Sequence, residues 1–258
     1  LKIKNLKLKI ARRMRGEPLA YILGEKEFYG LRFKVNKNVL IPRPETELIV
    51  EQALRKIQET PKSLTATGQV RNNNQTIIDL GTGSGNIIIA IAKKMGFFEN
   101  ENYGLRFLAT DISTSALRVA KQNAKLNKVD KKIKFIKGNL LEPILKSQIS
   151  NLKSQIIIIA NLPYLSKKIY NSTMPDVKNY EPKSALLSGT DGLNHYRKLF
   201  SQIKKLLTAN GSQLTVFLEI SSEQKIPLQK IISKEFPESK TTFYKDLARK
   251  WRVCEVNI

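Results

Sequence analysis

Four consecutive residues, Asn161, Leu162, Pro163 and Tyr164, carry the first recognisable chemistry in the sequence. They follow Ile156-Ile157-Ile158-Ile159-Ala160, an apolar run that reads as a short strand buried on both faces. Pro163 has no N–H for a ladder and holds Leu162 extended, so the strand ends there. In open α/β sheets, ligands sit at the carboxyl edge of the strands. At that edge Asn161 offers a carboxamide with an acceptor and donors, and Tyr164 offers a flat ring with a polar tip. Together they suit a planar amide or amino group. Taken alone they also fit a strand running into a proline turn, with Asn161 as an ordinary turn residue; the rest of the chain favours the first reading.

A second stretch, Asp79-Leu80-Gly81-Thr82-Gly83-Ser84-Gly85, lies between an apolar run at residues 76–80 and a helical pattern at 87–95. Its glycines let backbone approach a ligand closely and pack the helix on the strand. The spacing is Gly-x-Gly-x-Gly, not the Gly-x-Gly-x-x-Gly of dinucleotide sites. Asp111 ends the next strand, residues 105–110, where it can accept from both hydroxyls of a ribose. Asp79 would repel a pyrophosphate and welcome an amino group. The combination favours S-adenosylmethionine over NAD. A glycine turn kept for packing alone is the plainer alternative, and Asp111 in the right place argues against it.

The elements that must position these residues follow from periodicity. A basic helix runs from residue 2 to about 15, with Ile3, Leu6, Ile10 and Met14 at helical spacing, stopped by Gly16-Glu17-Pro18. Residues 21–24 and 28–35 alternate like a hairpin. The prolines of residues 39–47 form a rigid connector into a helix whose first turn carries Glu45 and Glu47. Residues 60–75 read as a polar surface loop. Ser113 caps a helix through 127, with Leu117, Ala120, Ala124 and Leu126 inward. A third strand covers 133–136 and ends near Gly138, Asn139 and Leu140. Residues 145–149 and 152–156 echo each other locally, without a repeat architecture. A long loop after Tyr164 leads to a helix over 193–207, stopped by Gly211. A fifth strand covers 214–220 and a helix 225–235. Strands at 241–244 and 251–256 close the chain as an antiparallel pair. Strands alternating with helices give an α/β fold with a mostly parallel sheet and a terminal hairpin.

The chain has 258 residues, 41% of them hydrophobic, which supports a sizeable core and rules out global disorder. The lone cysteine, Cys254, excludes an internal disulfide and fits a reducing, cytoplasmic setting; there is no metal-ligand cluster. No run approaches a membrane span, and the basic start lacks a signal core. The first residue is Leu1, not Met, which fits a fragment or an unusual start. A net charge of +23 points to an anionic partner, but it is spread through the chain. A solvated lysine face and a weak nucleic-acid contact through the basic surface both fit it.

The motifs resemble those of the HemK/PrmC family of release factor glutamine methyltransferases. They stand as residues 15–24, Phe28-Tyr29-Gly30, residues 41–47, the turn from Asp79 to Gly85, Asn161-Leu162-Pro163-Tyr164 and Asp191-Gly192-Leu193. They cover the chain from about residue 12 to its end. The first three are particular to that family; the glycine turn and the Asn161 motif are shared by many methyltransferases. The resemblance implies a Rossmann-like seven-stranded methyltransferase sheet over residues 43–258, preceded by a shortened helix-and-hairpin region at 1–42. It implies a cytoplasmic monomer that methylates the glutamine of the Gly-Gly-Gln tip of class 1 peptide chain release factors. The cofactor set it implies is Asp79, Gly81, Thr82, Gly83, Ser84, Gly85, Asp111, Asn139, Leu140 and Asn161. The catalytic set is Asn161, Leu162, Pro163 and Tyr164. Three departures stand out. Leu162 replaces the usual first proline, Asn139 replaces an acid that meets the adenine amino group, and the N-terminal helical region is short.

An amide nitrogen is a poor nucleophile, and no strong base is visible in the motif; His195 reads as structural. Catalysis is therefore expected from positioning, with the Asn161 oxygen and the Leu162 carbonyl accepting the two amide hydrogens and Tyr164 flanking the amide. The sulfonium carries its own leaving group, so no metal is called for. The nearest rival is an adenine amino-methyltransferase on DNA or RNA, which uses the same kind of motif on a flipped base. A non-catalytic RNA-binding module is a third class, opposed by the intact glycines, Asp111 and Asn161.

Overall fold

The computed structural model describes residues 2–59, 63–64, 70–71, 75–96, 104–146, 155–210 and 213–258. Helix α1 (Lys2–Met14) opens the chain. The apolar residues that give it its period stay exposed, Ile3, Leu6, Ile10 and Met14 among them. The second element differs from the sequence expectation. Residues 19–23 form a short helix, α2 (Leu19–Leu23), instead of one arm of a hairpin. The Pro18 carbonyl accepts from the N–H groups of Tyr21 and Ile22, and Gly24 closes the turn at φ 80°. A proline entry and a left-handed glycine exit are helix signals, and they outweigh the alternation. The hairpin is β1 (Glu25–Phe28) and β2 (Leu31–Lys34), joined by Tyr29 and Gly30, both at positive φ as a two-residue turn requires.

A 3₁₀ turn, Pro44–Thr46, leads into α3 (Glu47–Glu59). Within the stretch read as a loop, β3 (Ser63–Leu64) pairs with β4 (Val70–Arg71), and Gln75 already belongs to β5 (Gln75–Leu80). The rest of that loop lies outside the described residues. Then come α4 (Asn86–Gly96), β6 (Leu105–Asp111) and α5 (Thr114–Leu126), whose cap, Ser113, accepts from the Ala116 N–H at 3.1 Å. Leu117, Ala120 and Ala124 are buried, but Leu126, at the helix's last position, is half exposed. β7 (Ile133–Lys137), α6 (Glu142–Lys146) and β8 (Gln155–Ala160) follow. Most of the 145–156 echo lies outside the described residues.

The expected loop after Tyr164 contains two short helices, α7 (Lys167–Asn171) and α8 (Pro175–Tyr180), and a 3₁₀ turn, Lys183–Ala185. Ser166 caps the first and Pro175 starts the second, signals that short helices need and that periodicity does not register. α9 (Asn194–Asn210) follows; its expected stop, Gly211, is outside the described residues. The chain closes with β9 (Leu214–Glu219), α10 (Lys225–Glu235), β10 (Lys240–Lys245) and β11 (Trp251–Asn257).

Seven strands form one sheet in the order β10-β11-β9-β8-β5-β6-β7. β5 to β9 are parallel and β11 is antiparallel to both neighbours. Alternate strand residues feed two cores. Ile78, Ile156, Ile158 and Val216 meet Tyr196, Phe200 and Phe236 of the α9–α10 side. Ile77, Ile157, Ile159 and Phe217 meet Ile49, Ile57, Ile88 and the hairpin residues Phe28 and Phe33. Burial of β5, β8 and β9 on both faces explains the apolar runs at their centres, Ile77-Ile78, Ile156–Ala160 and Val216–Leu218. Strand order turns back between β5 and β8, and the crevice there is the ligand position of such sheets. No described helix is long and apolar enough to cross a membrane.

Candidate active site

The crevice at that switch point is a cleft of about 410 Å³. The glycine turn forms its floor. Gly85, at φ 80°, has no room for a side chain: a Cβ would stand 2.8 Å from Ile89 Cδ1 and 3.2 Å from Ala120 Cβ. This glycine serves the packing of α4 on the sheet and does not line the cleft. Gly81, Thr82, Gly83 and Ser84 do line it.

Asp111 presents its carboxylate at the rim of the cleft. Oδ2 accepts from the Gly83 N–H at 2.9 Å and Oδ1 from the Ser113 N–H at 2.8 Å. The backbone thus fixes the carboxylate plane, and each oxygen keeps a lone pair for a ligand hydroxyl. Burial raises its pKa against these two bonds. Asp79 is placed differently from the sequence expectation. It is 1% exposed, lies beneath the turn and does not line the cleft. Its Oδ2 accepts from the Thr82 hydroxyl at 2.6 Å, which covers it. Burial pushes its pKa up to about 7, eased by Thr82. Its task in the structure is to brace the turn.

Asn139 and Leu140 close the cleft on the β7 side. Leu140 adopts φ 56°, and the Thr110 hydroxyl donates to its carbonyl at 3.0 Å. The Gln202 side chain accepts from the Leu141 N–H at 2.8 Å, so α9 holds this bend in place.

On the other side of the switch point stand Asn161, Leu162 and Pro163, all lining the cleft. Asn161 Nδ2 donates to Thr46 Oγ1 at 3.3 Å. Leu162 is 2% exposed, and its Cδ2 would lie 3.3 Å from a Cβ at Gly81, so its side chain packs the two motifs together. Tyr164 is half-buried behind the cleft and does not line it; burial raises its pKa. The Gln224 amide donates to the Tyr164 carbonyl at 3.0 Å and to the Gly192 carbonyl at 2.9 Å. A Cβ at Gly192 would fall 2.3 Å from the Tyr164 carbonyl, so the Asp191-Gly192-Leu193 motif permits this crossing.

Several residues at the site were given no site role by the sequence reading. Glu219, the last residue of β9, is 2% exposed beside Asn161 and Thr46. Burial pushes its pKa up to about 7. A charged residue ending the otherwise apolar run Leu214–Glu219 was the available signal. Arg43 lines the cleft and pairs with the buried Glu181, which also accepts from the Ile41 N–H at 3.2 Å. These bonds tie the proline connector to the segment beyond Tyr164. His195 lines the cleft as well. Its Nδ1 is 2.7 Å from the buried Ser188 hydroxyl, and burial lowers its pKa.

The donor set fits S-adenosylmethionine. A backbone-fixed carboxylate suits ribose hydroxyls, a small-residue floor admits close approach, and Asn139 can accept from an adenine amino group.

Comparison with known proteins identifies the family and the fold. A family described as "Methyltransferase domain" matches residues 71–252. The chain is 35% identical over 245 residues to a release factor glutamine methyltransferase of Enterococcus faecalis, across 95% of this chain and 77% of that one. It is 38% identical over 226 residues to one of Thermodesulfovibrio yellowstonii, across 88% and 71%. The fold is shared with the hMettl16 catalytic domain solved in complex with the MAT2A 3'UTR hairpin 6, with a TM-score of 0.60 at 17% identity over 92% of this chain and 80% of that one. The chain belongs to the family of release factor glutamine methyltransferases and is a methyltransferase dependent on S-adenosylmethionine.

Proposed function

We propose that the protein methylates the side-chain amide nitrogen of the glutamine in the Gly-Gly-Gln motif of class 1 peptide chain release factors. The observation that carries this reading is the state of Asn161. Its carboxamide nitrogen donates to Thr46, which leaves its carbonyl oxygen as an acceptor suited to an amide N–H in the cleft that Asn161 lines. S-adenosylmethionine, when bound, supplies an electrophilic methyl group with a neutral thioether as leaving group. Asp111 would hold its ribose and Asn139 its adenine, with Gly81 to Gly83 beneath.

Asn161 Oδ1 and the Leu162 carbonyl accept the hydrogens of the substrate amide. This fixes the nitrogen in line with the methyl group and favours the positive charge that develops on it. The bond between Nδ2 and Thr46 keeps Asn161 from turning, and packing of Leu162 on Gly81 sets the spacing between acceptor and cofactor. Tyr164 shapes the pocket from behind through its carbonyl bond to Gln224.

The test is transfer of labelled methyl from S-adenosylmethionine to a purified class 1 release factor and to its variant with that glutamine replaced by alanine. Label in the parent release factor alone is the expected result. Label in both places the methyl group elsewhere. Label in DNA or RNA but in neither protein establishes the adenine amino reading instead.

A further inference from the structure

Behind the residues that meet the substrate stands one buried acid with no evident structural task. β8 and β9 run parallel with Ala160 opposite Leu218, so the next residues, Asn161 and Glu219, are neighbours at the carboxyl edge of the sheet. Glu219 is 2% exposed, and its Oε2 has no hydrogen-bond partner. Its carboxyl group interacts with the Thr46 hydroxyl and the Asn161 carboxamide. Asn161 Nδ2 donates in turn to Thr46 Oγ1 at 3.3 Å, and Thr46 is 1% exposed. A half-satisfied carboxyl in a core is costly, and an apolar side chain would fill the same space without that cost.

We propose that Glu219 is a positioning residue that holds the Asn161 carboxamide the one way round that presents its oxygen to the substrate. The proposal rests on the amide-methylation reading given above. A carboxamide has nearly the same shape when its oxygen and nitrogen exchange places, so shape alone does not fix it. The substrate amide nitrogen carries hydrogens, and Asn161 must meet them with Oδ1. A carboxylate only accepts. Ionised Glu219, directly and through Thr46, therefore draws Nδ2 inward and turns Oδ1 outward. Protonated Glu219 gains an O–H that can donate to Oδ1, and the two orientations come close in energy.

The surroundings set where that change falls. Burial is the main influence and raises the Glu219 pKa to about 7; Thr46, Arg252 and Asn161 draw it down, and Glu45 pushes it up. Arg252 is itself held by Asp246 at 2.8 Å. Tyr164 and Tyr196 face the site as phenols whose pKa values are raised, so they stay neutral. The Tyr196 hydroxyl donates to the Glu219 backbone carbonyl at 2.6 Å. α3 also packs on β9, but its charges engage other groups. Glu47 accepts from the Tyr29 N–H, Glu51 sits by Tyr29, Arg55 pairs with Glu59 and Glu255, and Lys56 meets Glu255. The orienting carboxylate accordingly forms as pH rises through neutrality.

The test is kcat for methyl transfer to a release factor from about pH 6 to about pH 9, at saturating cofactor, in the parent, Glu219→Gln, Glu219→Asp and Thr46→Val. Cofactor Kd and the thermal midpoint are measured beside it. The parent's kcat should rise through an inflection near neutrality. In Glu219→Gln the high-pH plateau should fall by about tenfold or more, the inflection should vanish, and cofactor Kd should stay unchanged. Glu219→Asp should restore the inflection, and Thr46→Val should lower the plateau while keeping it. A folded Glu219→Gln with the parental plateau and inflection overturns the proposal, as does one that lowers only the thermal midpoint. If Glu219→Gln does not fold, Thr46→Val decides, and a parental plateau in that variant overturns it. An active parent matched by Glu219→Gln defeats this proposal alone. A parent that transfers no methyl group to the release factor at any pH defeats the functional reading and this proposal together.

Discussion

The two sides of the cleft are built in different ways. The cofactor side is local and backbone-made. Its turn, Asp79 to Gly85, is one continuous segment, and Asp111 is held by two backbone N–H groups within 3 Å. Its buried acid, Asp79, is covered by a hydroxyl only three residues away. The acceptor side is assembled by side chains from distant segments. Asn161 meets Thr46 across 115 positions, and Glu219 and Gln224 arrive from beyond α9. It also retains a buried oxygen, Glu219 Oε2, without a partner. A site made of backbone gives an affinity that tolerates side-chain change nearby. A site made of remote side chains can be tuned or broken one residue at a time, and the cost of each change appears in turnover.

Substitutions can break this division, starting with the largest expected effect. Asn161→Ala should lower kcat by about a hundredfold or more and leave cofactor Kd nearly unchanged; equal losses in both measurements would merge the two sides. Asp111→Ala should do the opposite. It removes the acceptor for ribose hydroxyls and strands the Gly83 and Ser113 N–H groups, so cofactor binding should weaken by about 1–3 kcal/mol, read by titration calorimetry. Asp79→Asn addresses stability. The folded-state pKa of Asp79 is raised from 3.8 to about 7. The native protein therefore holds a proton that the unfolded chain has released, and stability falls as pH climbs through that window. Removing the charge should raise the unfolding free energy from urea titration more at about pH 8 than at about pH 5, by about 1 kcal/mol or more. A gain confined to the acidic side would contradict the sign. The smallest effect is expected at Leu162, whose side chain packs on Gly81 and is buried. Leu162→Pro keeps the carbonyl and most of the apolar volume, and kcat/KM should change by less than about tenfold.

The same contrast explains what the sequence could reveal. The glycine turn, Asp111 and the alternation of strands with helices were legible because each is a local pattern of period, glycine and chain end. The Asn161 motif was legible as a strand stopped by Pro163. The partners of Asn161 were not, since Thr46 sits in a proline connector and Glu219 at the end of a strand; the pairing of β8 with β9 brings Glu219 beside Asn161, and a side-chain bond brings Thr46. Asp79 was placed at the ligand because it begins the motif; in the fold it points beneath the turn, where Thr82 covers it. The helix at residues 19–23 was hidden by a short alternating pattern that its proline and glycine boundaries overrule. Leu126 and the segment after Tyr164 show the same limit, because end positions and single-turn helices carry too few residues for a period to register.

The role proposed for Asn161 is to receive a glutamine amide. It is tested most directly by locating the added methyl group by fragment mass spectrometry of a class 1 release factor after incubation with the protein and S-adenosylmethionine, with Asn161→Ala in parallel. One methyl group is expected on the side-chain amide of the Gly-Gly-Gln glutamine with the parent protein, and almost none with Asn161→Ala at equal cofactor occupancy. A methyl group on another residue, or full modification by Asn161→Ala, would contradict it.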